Sequence, residues 1–125
     1  MTIAAWCVLA AAIMPVLLAG VAKAGSPYDN SRPRDVESRL EGYRKRAYAA
    51  HLNSFEAFPL FAAAVLFAQT GGAAQGRTDM LAFAFIVLRL AYAAAYLADR
   101  PTLRSGLWTA AIGCAIAIFV GPLWR

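Results

Sequence analysis

The chain has 125 residues, of which 61% are hydrophobic and only 15% charged, and a formal net charge of +5. Such a composition is too apolar for a water-soluble domain of this size and points to one small integral membrane domain spanning residues 1–125. The positive charge does not indicate nucleic acid, because its placement along the chain gives it a different meaning.

In chain order, the first apolar run covers residues 3–22, about the 20 residues that a membrane-crossing helix needs. Ala22-Lys23-Ala24 has the small-x-small form of a signal-peptidase site. No Lys or Arg precedes the run, however, and it exceeds the usual h-region of about 7 to 15 residues, so a membrane helix is expected. A polar, turn-rich connection follows over residues 23–46, with Gly25-Ser26-Pro27 and Arg32-Pro33. The second run covers 47–69 and the third 79–98, separated by a link containing Gly71, Gly72 and Gly76. A turn at Pro101 leads into the fourth run, 105–123. These runs are long and unalternating, and an open sheet cannot satisfy its edges in lipid, so the expected class is all-α, an integral membrane four-helix bundle.

Seven Lys/Arg lie in the first connection (Lys23, Arg32, Arg34, Arg39, Arg44, Lys45, Arg46) and two, Arg100 and Arg104, in the third. Only Arg77 and Arg125 lie on the other side. The positive-inside rule then places the first and third connections in the cytoplasm and both termini outside. Cys7 and Cys114 fall inside the first and fourth runs, show no metal-like spacing and read as buried free thiols. No metal site is expected.

The polar residues within the apolar runs are the informative ones, since an ionisable group near the bilayer centre costs about 2.5 to 3.5 kcal/mol on a transfer scale. On the second helix Arg46, Asn53 and Glu56 fall within about 80° of one another, while His51 lies roughly opposite with Phe55 and Phe58. That arrangement gives the helix two contact faces, as an oligomer requires. Pro59 removes one helical hydrogen bond just beyond Glu56. On the third helix Phe85, Arg89, Tyr92, Tyr96 and Asp99 form one face. Glu56 and Arg89 both come out roughly 13 to 15 Å deep, so an ion pair between them is expected. Gly106, Ala110, Gly113, Ala117 and Gly121 make a small-residue ridge on the fourth helix, a packing signal, and Trp108 and Trp124 read as interfacial anchors. Arg46, His51, Asn53, Tyr96, Arg104 and Ser105 share the cytoplasmic third, as expected of a pocket for an anionic, hydrogen-bonding ligand. The alternative is that these groups snorkel to lipid headgroups.

Three stretches carry a resemblance: AHLNSFEAFP at 50–59, RLAYAAAYLAD at 89–99 and LRS at 103–105. In this order and spacing they resemble the MAPEG family, the membrane-associated proteins in eicosanoid and glutathione metabolism. The YDNSRPR run at 28–34 looks like the bacterial members. The resemblance implies a left-handed four-helix bundle per protomer, a homotrimer, and glutathione bound as co-substrate between protomers near the cytoplasmic surface. It implies that Asn53 and Glu56 hold the glutathione backbone, that Arg46 and His51 support that site, and that Glu56 also contacts Arg89. Tyr92, Tyr96 and Trp108 would complete the glutathione site, with Ser105 a hydrogen-bonding partner. Arg104 would stabilise the thiolate, because a neighbouring cation lowers a thiol pKa and the thiolate is the nucleophile.

The function so implied is a membrane-bound glutathione-dependent transferase or peroxidase acting on lipophilic electrophiles or lipid hydroperoxides, in a bacterial inner membrane. Some positions depart from the pattern: Ala49 and Leu52 stand where glutathione-using mammalian members often carry arginine, and Trp108 where tyrosine is common. The alternative is therefore a catalytically silent member that binds a lipid or another anionic ligand. A small four-helix drug exporter, which also relies on an intramembrane Glu, is disfavoured because Arg89 would neutralise Glu56.

Overall fold

The computed structural model describes residues 1–25 and 31–124; the Ser26-Pro27 turn, Tyr28-Asp29-Asn30 and Arg125 lie outside the described residues. The elements are α1 (Ile3–Lys23), the short α2 (Pro33–Ser38), α3 (Gly42–Thr70), α4 (Gln75–Leu97), α5 (Pro101–Phe119) and a closing 3-10 turn, Gly121–Trp124. Among the described residues there is no strand. Four helices, α1, α3, α4 and α5, are long and apolar enough to cross a membrane. Three start earlier than hydropathy places them or extend into polar sequence. Thus α3 takes in Gly42–Arg46, which includes three cations, α4 begins at Gln75 rather than Asp79, and α5 begins at Pro101, a residue suited to a first helical turn. Helix α5 also stops at Phe119, short of the expected 123.

The bundle forms because each helix buries residues at alternating three- and four-residue intervals. On α3 the buried stripe is Ala47, Ala50, Ser54, Ala57, Phe61, Ala64 and Ala68. On α1 it is Ala4, Cys7, Ala11, Met14 and Leu18, and on α4 Thr78, Ala82, Phe85, Arg89 and Tyr92. This is the spacing of knobs-into-holes seams, and the preponderance of alanine lets backbones approach closely where lipid removes the hydrophobic drive between helices. The pairs α1–α3 and α4–α5 pack most extensively. Phe61 and Phe85 stack with ring centroids 4.0 Å apart at the bundle centre. Both free cysteines, buried Cys7 and half-buried Cys114, belong to this core. The first part of the ridge turns away from it: Gly106, Ala110 and Gly113 are exposed, whereas Ala117 is half-buried and Gly121 is buried in the closing turn, and α5 buries only Ala111, Ala115 and Ile118.

The connections are set by helix ends. At α4 the N–H of Arg100 donates to the Ala95 carbonyl and that of Asp99 to Tyr96, with Asp99 at φ 58°. This is a Schellman ending in which aspartate, tolerant of the left-handed region, takes the place usually held by glycine. At α3 the same pattern uses Gly72 at φ 78°, with Ala73 donating to Ala68. Gly71 is needed for a different reason: a Cβ there would meet the Pro122 ring at 2.7 Å, so the closing turn packs directly on its backbone. Thr2 and Asp79 cap α1 together, accepting from the N–H groups of Ala5 at 3.0 Å and Ala4 at 2.8 Å. Gln69 ties in by donating to Thr2 Oγ1.

At the opposite, basic end Glu37 of α2 is a hub. Lys23 pairs with it at 3.3 Å, Arg34 at 3.2 Å, and the Tyr48 hydroxyl donates to it at 2.9 Å. Burial raises this carboxyl, but the Tyr48 and Lys23 hydrogen bonds and the charges of Lys23 and Arg34 outweigh it, leaving it below the ordinary glutamate value.

Candidate functional site

Arg89 organises the region. It lies in mid-helix on α4, is only 2% exposed, and among the described residues is the one charged side chain that is buried. Its Nη2 donates to Asn53 Oδ1 at 2.8 Å and, at 3.5 Å, to Ser54 Oγ. A guanidinium can only donate, so the Asn53 atom facing it must be the oxygen. The amide's Nδ2 is thereby left as a donor that no other described residue uses.

From Arg89 a ladder of cations and rings runs along α4 to α5. The Arg89 Cζ lies 4.2 Å from the Tyr92 ring centroid, Tyr92 meets Tyr96 edge-on at 5.7 Å, and Arg104 Cζ lies 4.4 Å over Tyr96. Alternation of this kind places each positive charge against the negative face of a ring, a contact that strengthens when water is excluded. The Schellman turn makes it possible, since it brings the first turn of α5 back beside the last turns of α4.

Beside the ladder is an open groove of about 410 Å³ lined by Asn53, Tyr92, Arg104, Ser105, Trp108 and Thr109. That volume lies within the range of small-molecule sites, and the lining is rich in hydrogen-bond donors and contains no carboxylate. Five of the expected site residues, Asn53, Tyr92, Arg104, Ser105 and Trp108, are brought together here. Tyr96 stands behind them as the seat of Arg104. Thr109 was not anticipated; its hydroxyl donates to the Ser105 carbonyl at 2.9 Å, one helical turn back, and its i+4 spacing from Ser105 is the signal that could have found it. Among the described residues no group of three or more His, Cys, Asp or Glu is arranged to hold a metal ion.

Three expected members stand elsewhere. Arg46 donates through Nε to the Leu97 carbonyl at 3.2 Å, satisfying an orphan acceptor at the end of α4. His51 contacts the Pro15 carbonyl through Nδ1 at 2.6 Å and lies against Tyr48 and Phe55. Since a carbonyl only accepts, Nδ1 carries the proton. Both side chains thus serve backbone acceptors and do not line the groove.

Glu56 is the clearest correction. It is exposed, and among the described residues it forms no ion pair with Arg89, whose carbonyl and hydroxyl acceptors come from Asn53 and Ser54. The reason is rotational: the buried stripe of α3 is centred near Ala50, Ala57 and Phe61, and Glu56 lies roughly 130° from it at 100° per residue. The charge that argued against a drug exporter is therefore not neutralised within the protomer, and that distinction rests on other grounds.

Those grounds come from comparison with known proteins. The model of the MAPEG family matches residues 3–124. The chain belongs to the MAPEG family. Membership makes it a membrane protein of the broad glutathione and eicosanoid metabolism group, and its four apolar helices make it an integral, multi-pass one. No curated protein and no solved structure matches the chain. The MAPEG match spans all four long helices and every groove residue.

Proposed function

We propose that this protein is a membrane-bound glutathione-dependent transferase or peroxidase acting on lipophilic electrophiles or lipid hydroperoxides. The observation that carries this reading is the donor-lined groove on a MAPEG chain, with Arg104 and Ser105 side by side at its edge. Glutathione offers two carboxylates, several carbonyls and a thiol, and the groove offers Arg104, the Asn53 amide, the Ser105 hydroxyl and the Trp108 indole as donors, with the Thr109 hydroxyl, whose proton goes to the Ser105 carbonyl, as an acceptor. Arg104 is the full positive charge among them. Beside a thiol it favours the thiolate, which attacks the electrophilic carbon; the C–S bond forms as the leaving group departs with its electron pair. Tyr96 supports this role by holding the guanidinium over its ring.

A homotrimer is part of the proposal. Glu56 is the fifteenth residue of a 29-residue helix and is exposed there. A carboxylate in that position needs a polar neighbour outside its own protomer, and an adjacent subunit on this flank supplies one. The same contact would cover the open side of the groove and admit a lipophilic co-substrate from the surrounding lipid. The Lys/Arg asymmetry supports a bacterial inner-membrane orientation with both termini outside the cytoplasm.

The silent reading has one observation in its favour. Ala49 is half-buried and Leu52 exposed, so neither offers a cation to a ligand with two carboxylates. The ultraviolet difference spectrum of the detergent-purified protein on adding glutathione separates the two. Saturable binding with a thiolate band, lost in Arg104→Ala, is expected of the transferase. Absence of binding at millimolar glutathione would remove that reading.

A further inference from the structure

Behind the groove, Arg89 borders a second and smaller space. A cavity of about 10 Å³, room for one water-sized particle, is lined by Ala11, Met14, Ser54, Ala57, Phe58, Phe85 and Arg89. One nitrogen of the guanidinium, Nη1, is buried and without a hydrogen-bond partner. Native proteins seldom leave a buried polar atom so, and a charged one is the most costly to leave. Buried Ser54 lines the same cavity: its Oγ accepts the long bond from Nη2, and its own proton goes to no described residue.

We propose that this cavity binds a chloride-sized anion, held by Arg89 Nη1 and the Ser54 hydroxyl. Three features favour an anion over water. The first is charge: among the described residues no carboxylate pairs with Arg89, and the two ion pairs both involve Glu37 at the basic end of the bundle. Second, the two polar groups in the lining have protons to give, which an anion takes without needing to donate in return. Third, the rest of the lining is alanine, methionine and phenylalanine, and the flexible, polarizable thioether of Met14 adapts to a particle slightly larger than water. The anion neutralises Arg89 at mid-helix depth, where an isolated charge is expensive. The site is separate from the groove, with Asn53 and Arg89 between them, and does not depend on glutathione.

The test compares thermal melting of the full chain in detergent in sodium chloride and in sodium gluconate at equal ionic strength. At a chloride concentration about ten times the dissociation constant, a rise of about 5 °C over gluconate is expected. Ser54→Ala keeps Arg89 and removes one donor, so the chloride concentration giving half the effect should rise about tenfold. Crystals grown in bromide should show an anomalous peak within hydrogen-bonding distance of Nη1. Equal melting in the two salts overturns the proposal, as does a chloride effect unchanged by Ser54→Ala. A destabilised Glu56→Gln variant with no anion effect in the parent would also overturn it, placing the counter-charge on Glu56 of a neighbouring subunit.

Discussion

Asn53→Asp separates the two jobs that Asn53 holds. Its Oδ1 accepts from Arg89 Nη2 at 2.8 Å, and its Nδ2 remains for the groove. Aspartate has the same shape but presents a second oxygen where Nδ2 stood, and it carries a negative charge. Toward Arg89 the change is favourable: a guanidinium now without any carboxylate gains one in hydrogen-bonding position, and doubly ionised bonds are roughly twice as strong as neutral ones. Because Arg89 is already buried, the pairing does not add its desolvation, and a gain of about 1 to 2 kcal/mol is expected. Toward an anionic ligand the change is unfavourable. Losing one charge-assisted donor costs about 1.5 to 3 kcal/mol, or roughly 10- to 100-fold in affinity, before any repulsion. The assay pairs a tryptophan-fluorescence melt with a glutathione titration on the same preparation. The variant should melt at or above the parent temperature and bind glutathione at least tenfold more weakly. A lower melting temperature would refute the role of Asn53 as Arg89's acceptor. Unchanged glutathione affinity would refute the orientation of its amide toward the ligand.

Other outcomes follow from the ends of the bundle. Asp79→Ala leaves the Ala4 N–H of α1 uncapped and should lower stability by about 1 to 2 kcal/mol, read as a shift in the melting temperature. Gly71→Ala forces a Cβ to within 2.7 Å of the Pro122 ring and should destabilise, whereas Gly113→Ala, with nothing within 4 Å inside the protomer, should leave the melting of dispersed protomers unchanged. The Glu37 carboxyl is held below its ordinary value of 4.5, so its contribution is present above that pH and is lost as pH falls through the lower folded value. Melting temperature measured against pH should therefore drop on the acid side of 4.5, and Glu37→Gln should flatten that drop.

The fold was legible because lipid imposes a coarse rule: four apolar runs of sufficient length must be helices. The helix starts were less so, since hydropathy ends where the membrane ends and α3 continues for a turn beyond it through Arg44, Lys45 and Arg46. Arg104, Ser105 and Trp108, which the family motif singles out, line one groove. The buried face of α3 is not the one its polar residues mark. The stripe Ala47, Ala50, Ser54, Ala57, Phe61 was present in the sequence with regular spacing, and centring the helix on it would have turned Glu56 outward and Ser54 inward. Arg46 and His51 could not be assigned in this way, because their partners are the backbone carbonyls of Leu97 and Pro15. Such acceptors leave no trace in side-chain pattern.

The turn at Asp99 bears on how the groove can move. Tyr92, Arg104, Ser105, Trp108 and Thr109 all belong to α4 or α5, joined by a backbone-bonded turn, and act as one wall. Asn53 alone comes from α3. Any widening of the groove is then a shear of α3 against the α4–α5 hairpin, in which the Arg89–Asn53 bond is the latch that must lengthen first. The cation meets its ligand already in place, so the ordering entropy of binding falls on a single helix and a single amide.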